Sequence, residues 1–219
     1  MQPPRAVLFD LDGTLVDSAP DIARAVNAGF TGYDIAEFSV ADVIGMIGGG
    51  AWNAIQRAAE RAGLRLSEVE ERAVLARFFE AYKRVSAEGN GLFPGAGDLL
   101  SGLRAGGVGL GLVTNKAEQV TSVAVQALGI AGHFSVVLGA SERLAKKPAA
   151  DMLLAALDRL AVAPADAIMV GDSPADHGAA RAAGCRSVLV DFGYTSVPVA
   201  EPGADAVLSR LADLPRLWS

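Results

Sequence analysis

The sequence predicts an α/β protein, a doubly wound parallel sheet of Rossmann-like form with a block of α-helices inserted as a cap after its first strand. Three observations predict it. Short apolar runs recur along the chain, helical patterns separate most of them, and the stretch from about Pro20 to Asn90 breaks that rhythm with helical periodicity and no convincing strand. Alternating strands and helices are the signature of βαβ units, whose right-handed crossovers build a parallel sheet.

The first run, Ala6 to Phe9, is apolar on both alternating faces and stops at a turn containing Gly13, as a strand buried on both sides would. Three amphipathic helical faces follow: Ile22, Ala25, Val26 and Phe30; Trp52, Ile55, Ala58 and Ala59; then Val74, Leu75, Phe78, Phe79 and Tyr82. Ser67-Glu68-Val69-Glu70 fits a capping box at the start of the last helix. This block is expected to lie over the strand ends as a lid, joined by linkers near Asp17–Ala19 and Gly89–Pro94. The division is then a core of residues 1–17 and 92–219 and a helical cap of residues 18–91.

Beyond the insertion, a helix from Gly95 to Ala105 ends at Gly106-Gly107, and one from Ala117 to Leu128 ends at Gly129, each glycine supplying a left-handed cap. Strands are expected at Val108–Val113, Val136–Leu138, Ala167–Val170 and Ser187–Val190, with a weaker one at Ala206–Leu208. Pro148 and Pro174 stand where helices should start, since proline is tolerated in a first turn.

Composition narrows the function. A chain of 219 residues, about half apolar, can bury a substantial core, and its net charge of −6 disfavours a general nucleic-acid binder. A single cysteine, Cys185, precludes an intramolecular disulfide framework, and no His/Cys cluster suggests zinc. With no signal-peptide pattern and no apolar stretch of the roughly 20 residues a spanning helix needs, a cytoplasmic protein without membrane contacts is expected.

The chemistry begins at Asp10-Leu11-Asp12-Gly13, where two carboxylates two residues apart follow a buried strand. In open α/β sheets ligands sit beyond the carboxyl ends of the strands, so Asp10 falls where chemistry is expected. Paired carboxylates repel unless a cation, a shared proton or a phosphate site occupies them. A capping turn would also use such residues. A calcium loop would need glycine at its sixth position, which is Leu15 here.

Three later clusters also end or follow apolar runs. Thr114-Asn115 offers a hydroxyl and an amide to a phosphoryl oxygen, or an ordinary turn and helix cap. Lys147, fixed ahead of Pro148, can neutralise phosphate charge, whereas Lys146 is expected to be exposed. Gly171-Asp172-Ser173-Pro174-Ala175-Asp176 places Asp172 where it could complete a Mg²⁺ site with Asp10 and water. Asp176 could ligate through water, hold Lys147, or simply favour the first turn of a helix.

In this order the clusters resemble the haloacid dehalogenase-like hydrolase superfamily, whose pattern runs Asp-x-Asp-Gly-Thr, Ser/Thr-Asn, Lys, then Gly-Asp-x-x-x-Asp. The resemblance implies that Asp10 is a nucleophile forming an aspartyl-phosphate and that Asp12 is the general acid/base and a backbone-carbonyl metal ligand. Thr114, Asn115 and Lys147 would bind the phosphoryl group, with Lys147 also catalytic, and Asp172 would join Asp10 and Asp12 in holding Mg²⁺ while Asp176 supports the site. Asp12 separates the chain from dehalogenases proper, which need no such proton donor.

Within the superfamily the chain is most similar to bacterial phosphoglycolate phosphatases. That similarity rests on Leu15 to Ile22, Met46-Ile47-Gly48-Gly49-Gly50, Leu92-Phe93-Pro94-Gly95, Thr114-Asn115-Lys116, Phe134-Ser135-Val136-Val137 and Phe192-Gly193-Tyr194. It departs in Lys147-Pro148-Ala149-Ala150, where the family usually has a second proline, and at Gly49, where asparagine is frequent.

The expected reaction is Mg²⁺-dependent hydrolysis of a small phosphate monoester, 2-phosphoglycolate foremost, by a monomer or homodimer. A phosphosugar phosphatase, a phosphosugar mutase and a noncatalytic phosphometabolite-binding regulator are the alternatives. His133, His177 and Cys185 are expected outside the chemistry. Gly107-Val108-Gly109-Leu110-Gly111 enters a strand rather than leaving one, against a dinucleotide loop. Lys83, the insertion's lone lysine, reads as a solvated residue rather than an imine-forming one.

Overall fold

The strand β1 (Ala6–Phe9) has no exposed residue, and its alternation divides the core in two. Val7 and Phe9 point to one face of the sheet, where Leu100, Leu103 and Leu214 cover them. Ala6 and Leu8 point to the other, against Met152, Leu153 and Leu157. Burying side chains of this size is worth about 1.5–3 kcal/mol each, so the central strand is held from both sides.

The computed structural model describes residues 1–88, 91–195 and 203–218. Five further strands, β2 (Gly109–Ala117), β3 (Val136–Ala140), β4 (Ala167–Gly171), β5 (Arg186–Val190) and β6 (Ala206–Leu208), join β1 in the order β3-β2-β1-β4-β5-β6, and every pairing is parallel. Phe9 lies level with Leu112 of β2 and Val170 of β4, so the chain leaving β1 emerges between β2 and the end of β4. The order reverses at β1, and the crevice beyond such a reversal is where doubly wound sheets bind ligands.

Between β1 and the first core helix come α1 (Ala19–Gly29), α2 (Val40–Ile44), α3 (Ala51–Arg61) and α4 (Glu68–Ser86), and the core helices are α5 (Ala96–Ala105), α6 (Glu118–Ala127), α7 (Asp151–Leu160) and α8 (Pro174–Ala183). The first four pack around a second apolar cluster, with Ile22, Val26, Ile55, Val74, Phe78 and Tyr82 buried and Val120 of α6 joining them. The expected capping box at Ser67 forms, its hydroxyl accepting from the N–H of Glu70 while Glu70 accepts from the N–H of Ser67. No helix among the described residues is long and apolar enough to cross a membrane. Gly89 and Asn90, the start of the expected second linker, lie outside the described residues.

Four local expectations differ from the structure. Trp52 is 40% exposed rather than part of the inward face of α3. On α3 it lies about 90° from the centre of the face that Ala54, Ile55, Ala58 and Ala59 bury, at the edge of that face. The short α2 went unanticipated because only Val43 of its residues is buried, too little for a periodic signal. Strand β2 runs on through Thr114 and Asn115 to Ala117, with an irregularity between Val113 and Ala117 against β3. Helix α7 starts at Asp151, beyond the cis Lys147-Pro148 peptide, so Pro148 does not open it.

Candidate active site

Each expected cluster reaches one cavity of about 490 Å³, lined on the sheet side by Asp10, Asp12, Thr114, Asn115, Lys147 and Asp172. From the helical insertion, Ile22, Gly48–Gly50, Phe78 and Tyr82 close its other side. The β1–β4 register explains the meeting. Asp10 follows β1 and donates its N–H to the carbonyl of Val170, which places it beside Asp172 just past β4.

Lys147 is the centre of charge. Its side chain is 2% exposed, and Nζ lies 2.9 Å from Oδ1 of Asp10 and 2.6 Å from Oδ1 of Asp176. Its hydrogens are directed to Asp176 and to the carbonyl of Val113 at 2.8 Å. Asp10 is the third partner of the ammonium, through the ion pair at Oδ1. Burial opposes the charge on Lys147, but Asp10 and Asp176 more than reverse it and hold the ammonium above the ordinary lysine range.

The side-chain amide of Asn115 has a structural task at the site. Its Nδ2 donates to the carbonyl of Lys147 at 2.8 Å and its Oδ1 accepts the N–H of Lys147 at 3.0 Å. The amide thus clamps the backbone that carries the lysine. Thr114, buried, accepts the N–H of Lys116 through Oγ1 at 3.2 Å, and its hydroxyl hydrogen remains available as a donor.

Asp176 is fully buried and uses both oxygens. Oδ1 takes Lys147, while Oδ2 accepts from the hydroxyl of Ser173 at 2.6 Å and from the N–H groups of Ser173 and Asp172 at 3.1 and 3.3 Å. It caps α8 and holds Lys147 together, two roles that had stood as alternatives. Gly171 lies so close that an added Cβ would fall 2.2 Å from the Asp176 carboxyl carbon.

Burial pushes the Asp10 carboxyl up to about 6, with Lys147 pulling it down and Asp176 raising it. Burial, then the charges of Asp176 and Asp10, push Asp172 up to about 8. The site holds four carboxylates, those of Asp10, Asp12, Asp172 and Asp176, against two ammonium groups, those of Lys116 and Lys147. With all four ionised the site carries a surplus of two negative charges, which suits a divalent cation. One oxygen each from Asp10, Asp172 and Asp176 lies within 4.8 Å of the others, near the span of about 4.2 Å across an octahedral Mg²⁺. These residues fit Mg²⁺, with Asp176 already committed to Lys147 and Ser173.

Sequence reasoning assigned no role to Lys116 or Tyr194. Lys116 is buried and pairs through Nζ with Oδ1 of Asp12 at 3.0 Å. A lysine directly after Thr114-Asn115 at the end of an apolar run was the available signal. Tyr194 donates its N–H to Oδ2 of Asp172 at 2.7 Å, donates its hydroxyl to Asp17 at 2.6 Å and accepts the N–H of Ala19 at 2.9 Å. Side chains are excluded from the ground this requires. A Cβ on Gly13, whose φ is +81°, would fall 2.4 Å from Oδ2 of Asp172, and one on Gly193 would fall 2.2 Å from its Cβ.

A doubly wound sheet with acids at the ends of β1 and β4 and a buried lysine between them defines a hydrolase-like site. The family model for haloacid dehalogenase-like hydrolases matches residues 7–190, and the chain belongs to that family. The phosphoglycolate phosphatase of Rhodospirillum rubrum is 40% identical over 215 residues, covering 96% of this chain and 89% of the relative. That of Escherichia coli strain K12 is 38% identical over 230 residues, covering 96% and 90%. Among solved structures, a predicted phosphoglycolate phosphatase from Haemophilus somnus superposes with a TM-score of 0.93 at 30% identity over all of both chains. CbbY from Rhodobacter sphaeroides in complex with phosphate gives 0.81 at 26% identity over 96% of each.

Proposed function

We propose that this protein is a Mg²⁺-dependent phosphatase that hydrolyses a small phosphate monoester, with 2-phosphoglycolate the leading substrate. The observation that carries the reading is the buried Asp10 carboxylate, charge-compensated at Oδ1 by Lys147 at 2.9 Å, in the wall of a cavity. The two named relatives and the full-length superposition support the choice of substrate.

An oxygen of Asp10 attacks phosphorus and the ester oxygen departs as an alkoxide, leaving an aspartyl-phosphate. Asp12 gives the alkoxide its proton and then takes one from the water that hydrolyses the intermediate, which returns Asp10 and releases phosphate. A positioned acid/base of this kind contributes about 10²–10⁴-fold. Lys147 offsets the repulsion between two anions, and the Thr114 hydroxyl binds a phosphoryl oxygen, while Asn115 contributes by fixing Lys147. Asp10, Asp172 and the backbone carbonyl of Asp12 would hold Mg²⁺, which when bound neutralises surplus charge and polarises the phosphoryl group.

The helical insertion is read as a cap of residues 18–91 over a core of residues 1–17 and 92–219, an apolar cluster drawn mainly from the insertion and its share of the cavity wall supporting that division. The cavity also has room for a phosphosugar, which keeps a phosphosugar phosphatase as the second reading.

Phosphate release from 2-phosphoglycolate, run beside a panel of sugar and nucleotide monophosphates, tests the reading. Release that requires Mg²⁺, stops with chelator and vanishes in Asp10→Asn is expected, with the highest kcat/KM on 2-phosphoglycolate. Full activity in Asp10→Asn would overturn the covalent route, and a preference for a sugar phosphate would select the second reading.

A further inference from the structure

Lys116 is a buried cation that the proposed reaction leaves without a task. It follows Thr114 and Asn115 on β2, its side chain is 3% exposed, and Nζ reaches two groups from different parts of the fold. One is Oδ1 of Asp12 at 3.0 Å. The other is the hydroxyl of Tyr82 on α4 of the helical insertion, to which Nζ donates while standing 3.9 Å from the centre of the Tyr82 ring. Tyr82 is itself buried, so the ammonium is held from below and above.

Only one oxygen of Asp12 is engaged. Among the described residues no donor takes Oδ2, that atom is not among the buried unpartnered ones and so keeps solvent access, and Asp12 lines the cavity. A protonated carboxyl carries its hydrogen on one oxygen and accepts through the other. An ammonium fixed at Oδ1 therefore decides which oxygen can carry the proton, and prevents the carboxyl from rotating to present the wrong one.

We propose that Lys116 is a positioning residue for Asp12, locking Oδ1 so that Oδ2 delivers the proton to the leaving group, with Tyr82 of the insertion holding the lysine in place. In the step concerned, the Oδ2–H bond breaks as the ester oxygen gains that hydrogen, and the phosphoryl group passes to Asp10. The inference rests on Asp12 being the general acid. Because Tyr82 belongs to the insertion, it also ties proton delivery to the placement of those helices over the cavity.

The test uses the dependence on leaving group. An alkoxide leaves only with a proton, whereas nitrophenolate leaves without one, and kcat/KM reports the chemistry up to departure of the alcohol. We would measure kcat/KM with Mg²⁺ for 2-phosphoglycolate and for p-nitrophenyl phosphate in the wild type, Asp12→Asn, Lys116→Met and Tyr82→Phe. Asp12→Asn should lower the alkyl-to-aryl ratio by about 10²-fold or more, and Lys116→Met by about tenfold, while Tyr82→Phe shifts it the same way by about threefold. A merely structural role would lower both substrates together and leave the ratio where it was.

If Lys116→Met does not fold, Tyr82→Phe, which loses one hydroxyl, decides. A ratio lowered in Asp12→Asn but unchanged in the folded Lys116 and Tyr82 variants would overturn the inference and leave the acid in place. An unchanged ratio in Asp12→Asn would overturn the acid assignment and the inference with it.

Discussion

Mg²⁺ binding to the metal-free protein should expel protons, in a number set by the burial of two carboxyls. Burial raises Asp10 to about 6 and Asp172 to about 8, so at pH 7 Asp10 is mostly ionised and Asp172 mostly protonated. Both must be carboxylates to ligate a metal. About one proton should therefore leave per ion at pH 7, nearly two at pH 5 and almost none at pH 9.5. Isothermal titration calorimetry in buffers of different ionisation enthalpy reads that number. The same shifts set the sign of the stability profile. A carboxyl with a raised folded pKa favours the fold while protonated, a contribution complete below its ordinary 3.8 and lost as pH rises through about 6 for Asp10 and about 8 for Asp172. Metal-free protein should lose stability between roughly pH 4 and 8, and Mg²⁺ should restore it increasingly across that window. A proton count near zero at pH 7 would refute the reasoning, because both groups would then be ionised before the metal arrives or Asp172 would not be a ligand.

Lys147→Met strands Asp10 and Asp176 without their shared cation, which should cost about 3–5 kcal/mol in urea unfolding at pH 8 and less at pH 5, where Asp10 takes up a proton. The same variant should lose at least about 10²-fold in turnover, measured as phosphate release. Gly193→Ala pushes a methyl into Asp172 and should weaken Mg²⁺ binding by about 10–100-fold while leaving far-UV circular dichroism unchanged. Tyr194→Phe removes the hydroxyl that joins Asp17 to Ala19 and should cost about 1 kcal/mol in stability; the Mg²⁺ dependence should stay as it was, since the N–H to Asp172 is retained.

Much of this was legible in the residues because the strands are short, wholly apolar and punctuated. Ala6–Phe9 and Ala167–Val170 could be read as buried strands ending in acids, and the parallel order then puts Asp10 and Asp172 side by side. What the pattern does not carry is where a polar side chain spends its hydrogen bonds. Asn115 and Asp176 reach the expected neighbourhood, yet one clamps the Lys147 backbone and the other divides its oxygens between Lys147 and Ser173. Both choices depend on residues about thirty positions away or on a helix start, and neither leaves a periodic trace. Lys116 was hidden for a similar reason: its partners Asp12 and Tyr82 lie 104 and 34 positions away, and only the folded chain brings them together. Trp52 shows the opposite failing, a large apolar residue assigned to the buried face of α3 that stands at its edge and stays 40% exposed.

The most direct test of the nucleophile is to quench the wild type with acid during turnover of 2-phosphoglycolate with Mg²⁺, reduce with borohydride and map the peptides. An acyl phosphate on Asp10 is reduced to the alcohol, so homoserine should stand at that position and at no other aspartate. An unmodified Asp10 in samples that are visibly releasing phosphate, or reduction at another carboxylate, would contradict the covalent route.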